Sequence, residues 1–288
     1  MRKLLLLSVF SILSCLQVGA QVSTAEQDSL RIVRLLKQAK SLPAQKNLPL
    51  FFARQFLGVP YVAHTLEVND MESLVVNTRE LDCTTLVENV TALTLCTQRG
   101  ETSFADFKKM LTLLRYRHGN IQGYPSRLHY FTEWILDNQS KGLVKEIQRQ
   151  KTPFTAIQTV RTNYMSTHPS AYRALKNHPT LLADIKKMEK SLTGLRFRYI
   201  PKSQVLNTKA MREAVHDGDI IAIITSKKGL DTSHLGFAVW QKDGLHLLNA
   251  SMLHHQVVLE PMTLRQYLNQ HPTFTGIRIV RIQQLLTN

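Results

Sequence analysis

The chain has 288 residues, of which 43% are hydrophobic and 20% are charged. These values are typical of a globular protein with a sizeable core, and they exclude a disordered or low-complexity chain. The formal net charge of +15 favours acidic partners such as an anionic cell-envelope surface. The lysines and arginines are scattered and no zinc-finger spacing accompanies them, so we do not expect nucleic-acid binding.

Residues 1–20 have the order of a secretory signal peptide. Two basic residues precede an apolar run over residues 4–13, and small residues lead up to Ala20. The apolar run is too short to span a bilayer. We therefore predict an exported, periplasmic protein that is cleaved after Ala20, with residues 21–288 as a single domain. One alternative is an N-terminal membrane anchor or a buried helix. Another is a lipid anchor on Cys15, which ends a lipoprotein-like box.

The next part of the chain, to about residue 195, has mostly helical apolar spacing, and residues 100–195 are predicted to form a large helical insertion. From residue 196 onward, short runs rich in β-forming residues alternate with turn signals. These runs cover residues 197–200, 220–225, 235–240, 245–249, 256–259 and 275–282. Helices followed by strands predict an α+β fold with an antiparallel sheet packed against the helical half.

A candidate nucleophile lies at the start of a predicted helix. Asp82 is a good N-cap, which places Cys83 in the first helical turn, where free N–H groups and the helix dipole favour the thiolate. Cys96 lies thirteen residues further along the same helix. At 1.5 Å per residue the two α-carbons are about 20 Å apart, so we expect no disulfide between them. Cys96 is expected in the core. A buried structural role is the alternative for Cys83.

A candidate base lies at the entrance of a predicted strand. His234 there could project from the sheet towards Cys83, as a thiol–imidazole pair requires, and a histidine bonded to a nearby carbonyl is the alternative. Asn249 ends the following strand and is our choice to accept the Nδ1 proton of the base. His254, His255 and Asp217 are lesser candidates for this third role.

Arg127, Tyr130 and Trp134 are three and four residues apart, so one helix face could present all three to a ligand. With His129 they form a polar-aromatic cluster that suits a sugar or a peptide carrying a carboxylate. An ordinary amphipathic helix with a buried tryptophan is the alternative interpretation.

Four short motifs follow one another in the order that is typical of the NlpC-type papain-like cysteine hydrolases. They are Asp82-Cys83-Thr84, Gly218-Asp219, His234-Leu235-Gly236 and Asn249-Ala250-Ser251. A Leu-Gly-x-Pro-Tyr stretch that ends at Tyr61 precedes them. Together with the long insertion and residues 124–134, they make the chain resemble the N-acetylmuramoyl-L-alanine-amidase-like subfamily. Asn249 stands where many relatives have histidine, so the third catalytic role is the weakest part of the match.

The resemblance implies a papain-like core, cleavage of the amide between muramic acid and L-alanine in peptidoglycan fragments, and Cys83 as nucleophile. It also implies that Tyr61, Asp82, Thr84 and Ser233, which flank the catalytic pair, contact the substrate. No metal-binding spacing is present, and we expect neither metal nor cofactor. A stem-peptide endopeptidase, cutting between D-glutamate and the diamino acid, and a non-catalytic wall-binding module are the alternatives. We expect a monomer.

Overall fold

The computed structural model describes residues 23–43 and 45–284. The predicted signal segment, with Cys15 and Ala20, lies outside the described residues. In chain order the helices are α1 (Thr24–Lys40), α2 (Leu48–Arg54), α3 (Cys83–Gln98), α4 (Phe104–Arg115), α5 (Phe131–Ser140), α6 (Tyr164–Thr167), α7 (Arg173–Asn177), α8 (Leu182–Leu192), α9 (Lys209–Ala214) and α10 (Leu264–Gln270). The strands are β1 (Val144–Ile147), β2 (Ala156–Thr159), β3 (Arg196–Pro201), β4 (Ile220–Thr225), β5 (Thr232–Trp240), β6 (Leu245–Ser251), β7 (Gln256–Leu259) and β8 (Phe274–Ile282).

The strands form one sheet in the order β2-β3-β8-β4-β5-β6-β7, with β1 also paired to β8. All of these pairs are antiparallel. The predicted α+β class and the six predicted strand runs are confirmed. The segment predicted as a helical insertion contains helices α4 to α8, and it also contributes the two short strands β1 and β2, which were not predicted.

The sheet is covered on both faces, and strand β4 shows this directly because every one of its residues is buried. Ile220 and Ala222 pack in the core that contains α3, whereas Ile221 and Ile223 pack in a second core with α9 and α10. Successive strand residues point to opposite faces, so a strand buried on both sides is apolar throughout.

Helix α3 is the central element of the first core. Its residues from Thr85 to Cys96 are all buried, because α3 packs against the sheet at β5 and β6 and against α1, α2 and α4. A helix that is covered all round needs no polar face. Its N-terminus is thereby held against β5, the strand that carries His234.

The Gly-Asp turn before β4 has a structural role. Both carboxylate oxygens of Asp219 accept hydrogen bonds from Arg281 on β8, each at 2.7 Å. This bidentate pair joins the start of β4 to the end of β8.

Among the helices described here, none is both long enough and apolar enough to cross a membrane.

Candidate active site

Cys83 is the first residue of α3, as predicted from its sequence context. The Oδ1 atom of Asp82 accepts the Thr85 N–H at 2.8 Å, and the Thr85 hydroxyl accepts the Asp82 N–H at 2.9 Å. This reciprocal cap fixes the start of the helix and does not use the N–H groups of Cys83 and Thr84. Cys83 is partly exposed and Cys96 is buried, and both are free thiols.

Cys83 and His234 line the same pocket, which has a volume of about 190 Å³. The start of α3, residues 128–131, two side chains from the α6–α7 region and residues 230–235 form its walls. A larger groove along α4, of about 830 Å³, is lined by neither cysteine nor histidine. The smaller pocket is therefore the candidate site for chemistry.

His234 on β5 meets Asn249 on β6, with its Nε2 atom 2.8 Å from the amide Oδ1. The amide nitrogen of Asn249 donates to Glu260 Oε1 at 3.0 Å. Because the NH₂ end of the amide faces a carboxylate, the oxygen end faces the ring and accepts its proton. The contact between His234 and Asn249 was predicted, but through Nδ1, and that part was wrong. Nε2 carries the proton, and Nδ1 is left as the free basic nitrogen.

The lesser candidates for the third role do not contact His234. Nε2 of His254 lies 3.2 Å from Glu260 Oε2, and Asp217 Oδ1 accepts the backbone N–H of Trp240 at 2.6 Å. His255 occupies the turn before β7 with a positive φ of 55°.

The thiol and the imidazole are both electrically neutral at rest. Burial raises the pKa of Cys83 to about 12, and the charge of Asp82 raises it further, against hydrogen bonds from the Leu235 backbone and the Thr84 side chain. Burial likewise lowers the pKa of His234, against the Asn249 hydrogen bond and the charge of Glu260. The prediction of a lowered thiol pKa was wrong, because loss of hydration outweighs the helix N-terminus.

Tyr61 lies beside Cys83, as the resemblance implied. Its backbone N–H donates to the His255 carbonyl at 2.9 Å, and Leu81 N–H donates to the Pro60 carbonyl at 3.0 Å. These bonds hold Tyr61 against the residues that lead into α3. Burial raises the pKa of Tyr61 to about 12, and the negative charges of Asp82 and of the Cys83 thiolate, which forms in the same alkaline range, add to the effect. Of the flanking residues, Thr84 and Ser233 line the pocket.

Arg127, Tyr130 and Trp134 do not share a helix face, contrary to the prediction. Helix α5 begins only at Phe131, and Arg127 ends a separate single turn. Trp134 is fully buried and stacks on Phe131 with ring centroids 4.9 Å apart. Its indole is therefore part of the core and does not reach the pocket.

Arg127 is engaged within the protein. Its guanidinium pairs with Glu67 and lies 3.8 Å from the Glu72 carboxylate, and only 5% of the residue is exposed. Tyr130 does line the pocket, but its hydroxyl donates to Glu189 at 2.7 Å. A substrate carboxylate would have to displace Glu67 or Glu72 to reach Arg127.

His129 also lines the pocket. Its Nε2 lies 2.9 Å from the Tyr124 carbonyl oxygen. Burial, with the charge of Arg127 adding to it, lowers the pKa of His129 to about 3. A neutral imidazole that donates to a carbonyl suits a polar wall of the pocket better than a second base.

Sequence reasoning missed several neighbours of the site. Met165 and Tyr172 contribute to its wall, and the Tyr267 ring on α10 lies 6.2 Å from the His234 ring. Glu260 supports Asn249 from behind. Nothing in the local sequence around Glu260 distinguishes it from an exposed carboxylate after a strand.

In the described ranges, no three histidine, cysteine or acidic side chains gather as metal ligands do.

These features define a class: an α+β protein in which a thiol and an imidazole line one small cleft and a buried amide accepts the ring proton of the imidazole. Residues 51–277 match the family model described as AmiA-like, N-acetylmuramoyl-L-alanine amidase-like. The chain belongs to this AmiA-like family.

Solved structures agree with this assignment. The chain is 38% identical to an N-acetylmuramoyl-L-alanine amidase from Bacteroides uniformis, with a TM-score of 0.77, covering 85% of this chain and 99% of that one. It is 41% identical to a Bacteroides fragilis protein provisionally named a xylanase, with a TM-score of 0.76 and coverage of 81% and 100%. A Legionella pneumophila protein, 24% identical with a TM-score of 0.70 and coverage of 91% and 99%, shares the fold. No curated protein matches the chain.

Proposed function

We propose that the protein is a cysteine-dependent amidase with a papain-like core of the NlpC type. It hydrolyses the N-acetylmuramoyl-L-alanine bond of peptidoglycan fragments. The family description and the names of two similar structures support the bond and the substrate. The hydrogen bond between His234 Nε2 and Asn249 Oδ1 carries the mechanism, because it leaves Nδ1 free in the pocket that Cys83 also lines.

In this mechanism His234 Nδ1 takes the thiol proton as Cys83 Sγ bonds to the lactyl carbonyl carbon. N–H groups at the start of α3, at Cys83 and Thr84, hold the oxyanion. The C–N bond then breaks, and the imidazolium gives its proton to the departing alanine amine. Water attacks the thioester, His234 accepts a proton from it, and the C–S bond breaks as the thiol is restored.

The neutral resting pair agrees with this order of events. A thiol whose pKa is raised to about 12 does not ionise before the substrate arrives. A neutral imidazole, whose pKa burial lowers, can accept the proton as the new bond forms.

A glycosidase function, which the name of the Bacteroides fragilis relative raises, is disfavoured by the pocket. Glycosidases use two carboxyl groups on either side of the scissile bond. Asp231 is the one carboxylate lining the described pocket. Its two oxygens accept the backbone N–H groups of Thr132 at 2.6 Å and Thr232 at 2.8 Å, so it holds the backbone in place.

We propose further that the protein is exported to the periplasm as a monomer, where its positive charge keeps it near the anionic envelope. The support is the signal-like order of residues 1–20 and the net charge of +15. The intact mass of protein recovered from cells decides between two forms: a chain that begins at residue 21 or one that begins at a lipidated Cys15. A mature chain that retains residues 1–20 would refute export by this route.

The assay that tests the function uses a defined muramoyl tetrapeptide with the mature protein and with its Cys83→Ala variant. Mass spectrometry of the products should show free intact tetrapeptide with the parent protein only. Products cut inside the stem would replace the amidase by an endopeptidase. Equal cleavage by the variant would refute the role of Cys83, and binding without cleavage would indicate a wall-binding module.

A further inference from the structure

Glu260 is a buried carboxylate next to the candidate site. It follows strand β7 and is only 1% exposed. Its backbone is fixed to β6, because Glu260 N–H donates to the Leu247 carbonyl at 2.9 Å and the Glu260 carbonyl lies 2.9 Å from His246 Nδ1. The side chain is thereby directed towards the β6 strand that carries Asn249.

The carboxylate makes two side-chain contacts. Oε1 accepts from Asn249 Nδ2 at 3.0 Å, and Oε2 lies 3.2 Å from Nε2 of His254, whose side chain is 41% exposed. Among the described residues no lysine or arginine pairs with Glu260. Burying a carboxylate without a permanent cation is unfavourable, so a purely structural account leaves this residue unexplained.

The contact with Asn249 determines which way that amide points, because the second acceptor of the same NH₂ group, the Leu247 carbonyl, lies at the longer distance of 3.5 Å. If the amide were rotated by half a turn, its oxygen would face the Glu260 carboxylate and its NH₂ group would face His234. Two oxygens that both accept would then lie against each other, which the buried site could not compensate. Glu260 therefore holds Asn249 with Oδ1 towards His234, and that orientation holds the ring proton on Nε2.

We propose that Glu260 is a positioning residue, which keeps His234 in the tautomer that offers Nδ1 to Cys83. The proposal rests on the proposed function and extends the site from three residues to four: Cys83, His234, Asn249 and Glu260. It acts through Asn249 and does not touch the reacting atoms.

Charge gives Glu260 a second effect on the same ring. The negative charge of Glu260 raises the pKa of His234, against burial, and so does that of Asp82 on the α3 side. The charge of His271 lowers it, and the Tyr267 ring lies 4.6 Å from that of His271 and 6.2 Å from that of His234. Asn249 supplies the direct hydrogen bond. Removing the carboxylate charge should therefore make the imidazolium harder to form.

Two substitutions separate orientation from charge. Glu260→Gln keeps an acceptor oxygen for Asn249 and removes the charge; its NH₂ group faces His254, whose neutral ring can accept a hydrogen bond from it. Glu260→Leu removes both the acceptor for Asn249 and the charge. Asp28→Asn is the control for removing a buried carboxylate away from the site: Asp28 is also 1% exposed and accepts bonds from Thr78, but it pairs with Arg79 and lies in α1.

The first readout is nitrogen NMR of the His234 ring, assigned among the eleven histidines with a His234→Gln variant. In the parent and in Asp28→Asn the neutral ring should carry its proton on Nε2. Glu260→Gln should keep that tautomer while the His234 titration midpoint falls. Glu260→Leu should give a mixture of tautomers. These signals need no substrate, so they test Glu260 even if the amidase proposal fails.

The second readout is turnover of the muramoyl peptide. Glu260→Leu should lower kcat by about tenfold or more with little change in KM, because the base is misaligned while the pocket is intact. The acid limb of the Glu260→Gln pH profile should move to lower pH. If Glu260→Leu does not fold, the tautomer is read in Glu260→Ala, which leaves Asn249 the same freedom to rotate. A single Nε2 tautomer in the folded variant would overturn the proposal, and an unshifted His234 midpoint in Glu260→Gln would overturn the effect of charge.

Discussion

Gly236 on β5 lies so close to Leu248 on β6 that a β-carbon at this position would be 2.7 Å from the Leu248 carbonyl oxygen. The Leu247 side chain would be equally crowded, with its Cδ1 atom at 2.8 Å. Leu248 directly precedes Asn249, and Gly236 is two residues from His234. The glycine of the His-x-Gly motif thus sets the spacing of the two strands that bring His234 and Asn249 together.

Substitution Gly236→Ala should force β5 and β6 apart. We expect the free energy of unfolding to fall by about 1–3 kcal/mol, from the overpacking. Activity should fall in the protein that remains folded, because the His234–Asn249 distance of 2.8 Å cannot be kept. Urea denaturation and kcat on the folded fraction measure the two effects.

Gly142→Ala provides the control for that variant. This glycine, just beyond the C-terminal end of α5, has φ of +71°, and a β-carbon there would meet no neighbouring side chain or backbone atom within 4 Å. Its substitution should lower stability through backbone strain alone and leave kcat unchanged. Gly236→Ala with parental kcat would show that the strand spacing does not matter for the site.

Arg127 should prove to be a structural residue. Arg127→Ala leaves Glu67 and Glu72 without their buried cation and should destabilise the protein by about 3–5 kcal/mol. The matched variant is Arg173→Ala, whose partner Asp70 is exposed; it should change stability by less than about 1 kcal/mol. Urea denaturation of both variants measures the two losses of stability. If instead Arg127 binds a substrate carboxylate, Arg127→Ala will fold normally and raise KM.

The pH dependence follows from the two pKa shifts at the site. The pKa of His234 lies below its ordinary value and that of Cys83 is raised to about 12, so between them both groups are neutral. As pH falls through the lowered His234 pKa, the base becomes protonated and kcat/KM should decline. The acid limb should therefore lie below the ordinary histidine value of about 6.5.

Alkylation of Cys83 by iodoacetamide gives an independent check, because the reagent reacts with the thiolate. In a Cys96→Ala background the rate should be low near neutral pH and should still rise in strongly alkaline solution. A rate that levels off in mildly acidic solution would indicate a preformed thiolate–imidazolium pair and contradict the neutral resting state.

The two cysteines should respond differently to substitution. Cys83→Ala should lower activity by about 10⁴-fold or more and leave the fold intact, since it removes the proposed nucleophile and little core packing. Cys96→Ala should leave kcat unchanged and lower stability by about 1 kcal/mol, because the side chain is fully buried in α3. Thermal unfolding and turnover of both variants test this. Loss of activity in Cys96→Ala at full stability would contradict the assignment.

The sequence was informative wherever one local signal determined the structure. Asp82 as N-cap was enough to place Cys83 at the start of a helix, and apolar runs between turns were enough to locate β3 to β8. Strand β1 was missed because it is only four residues long and contains Lys145 and Glu146. Glu146 faces inward only because the fully buried Arg278 pairs with it from β8. That partner is distant in sequence.

Contacts between residues distant in sequence also limited what could be predicted at the site. His234 and Asn249 could be chosen from strand order, but the ring nitrogen that meets Asn249 depends on Glu260, which local sequence does not mark. The thiol pKa also depended on burial by the whole fold, which outweighed the helix N-terminus. The spacing of Arg127 and Trp134 suggested one helix, but the chain begins α5 between them.

The most direct test of the account is to identify the acyl group that Cys83 carries during turnover. The reaction with a muramoyl tetrapeptide is quenched rapidly in acid, the protein is digested, and the peptide that contains Cys83 is weighed. The account predicts a thioester-linked N-acetylmuramoyl group with no amino acid attached. An adduct that includes alanine and glutamate, or turnover with no adduct on Cys83, would contradict it.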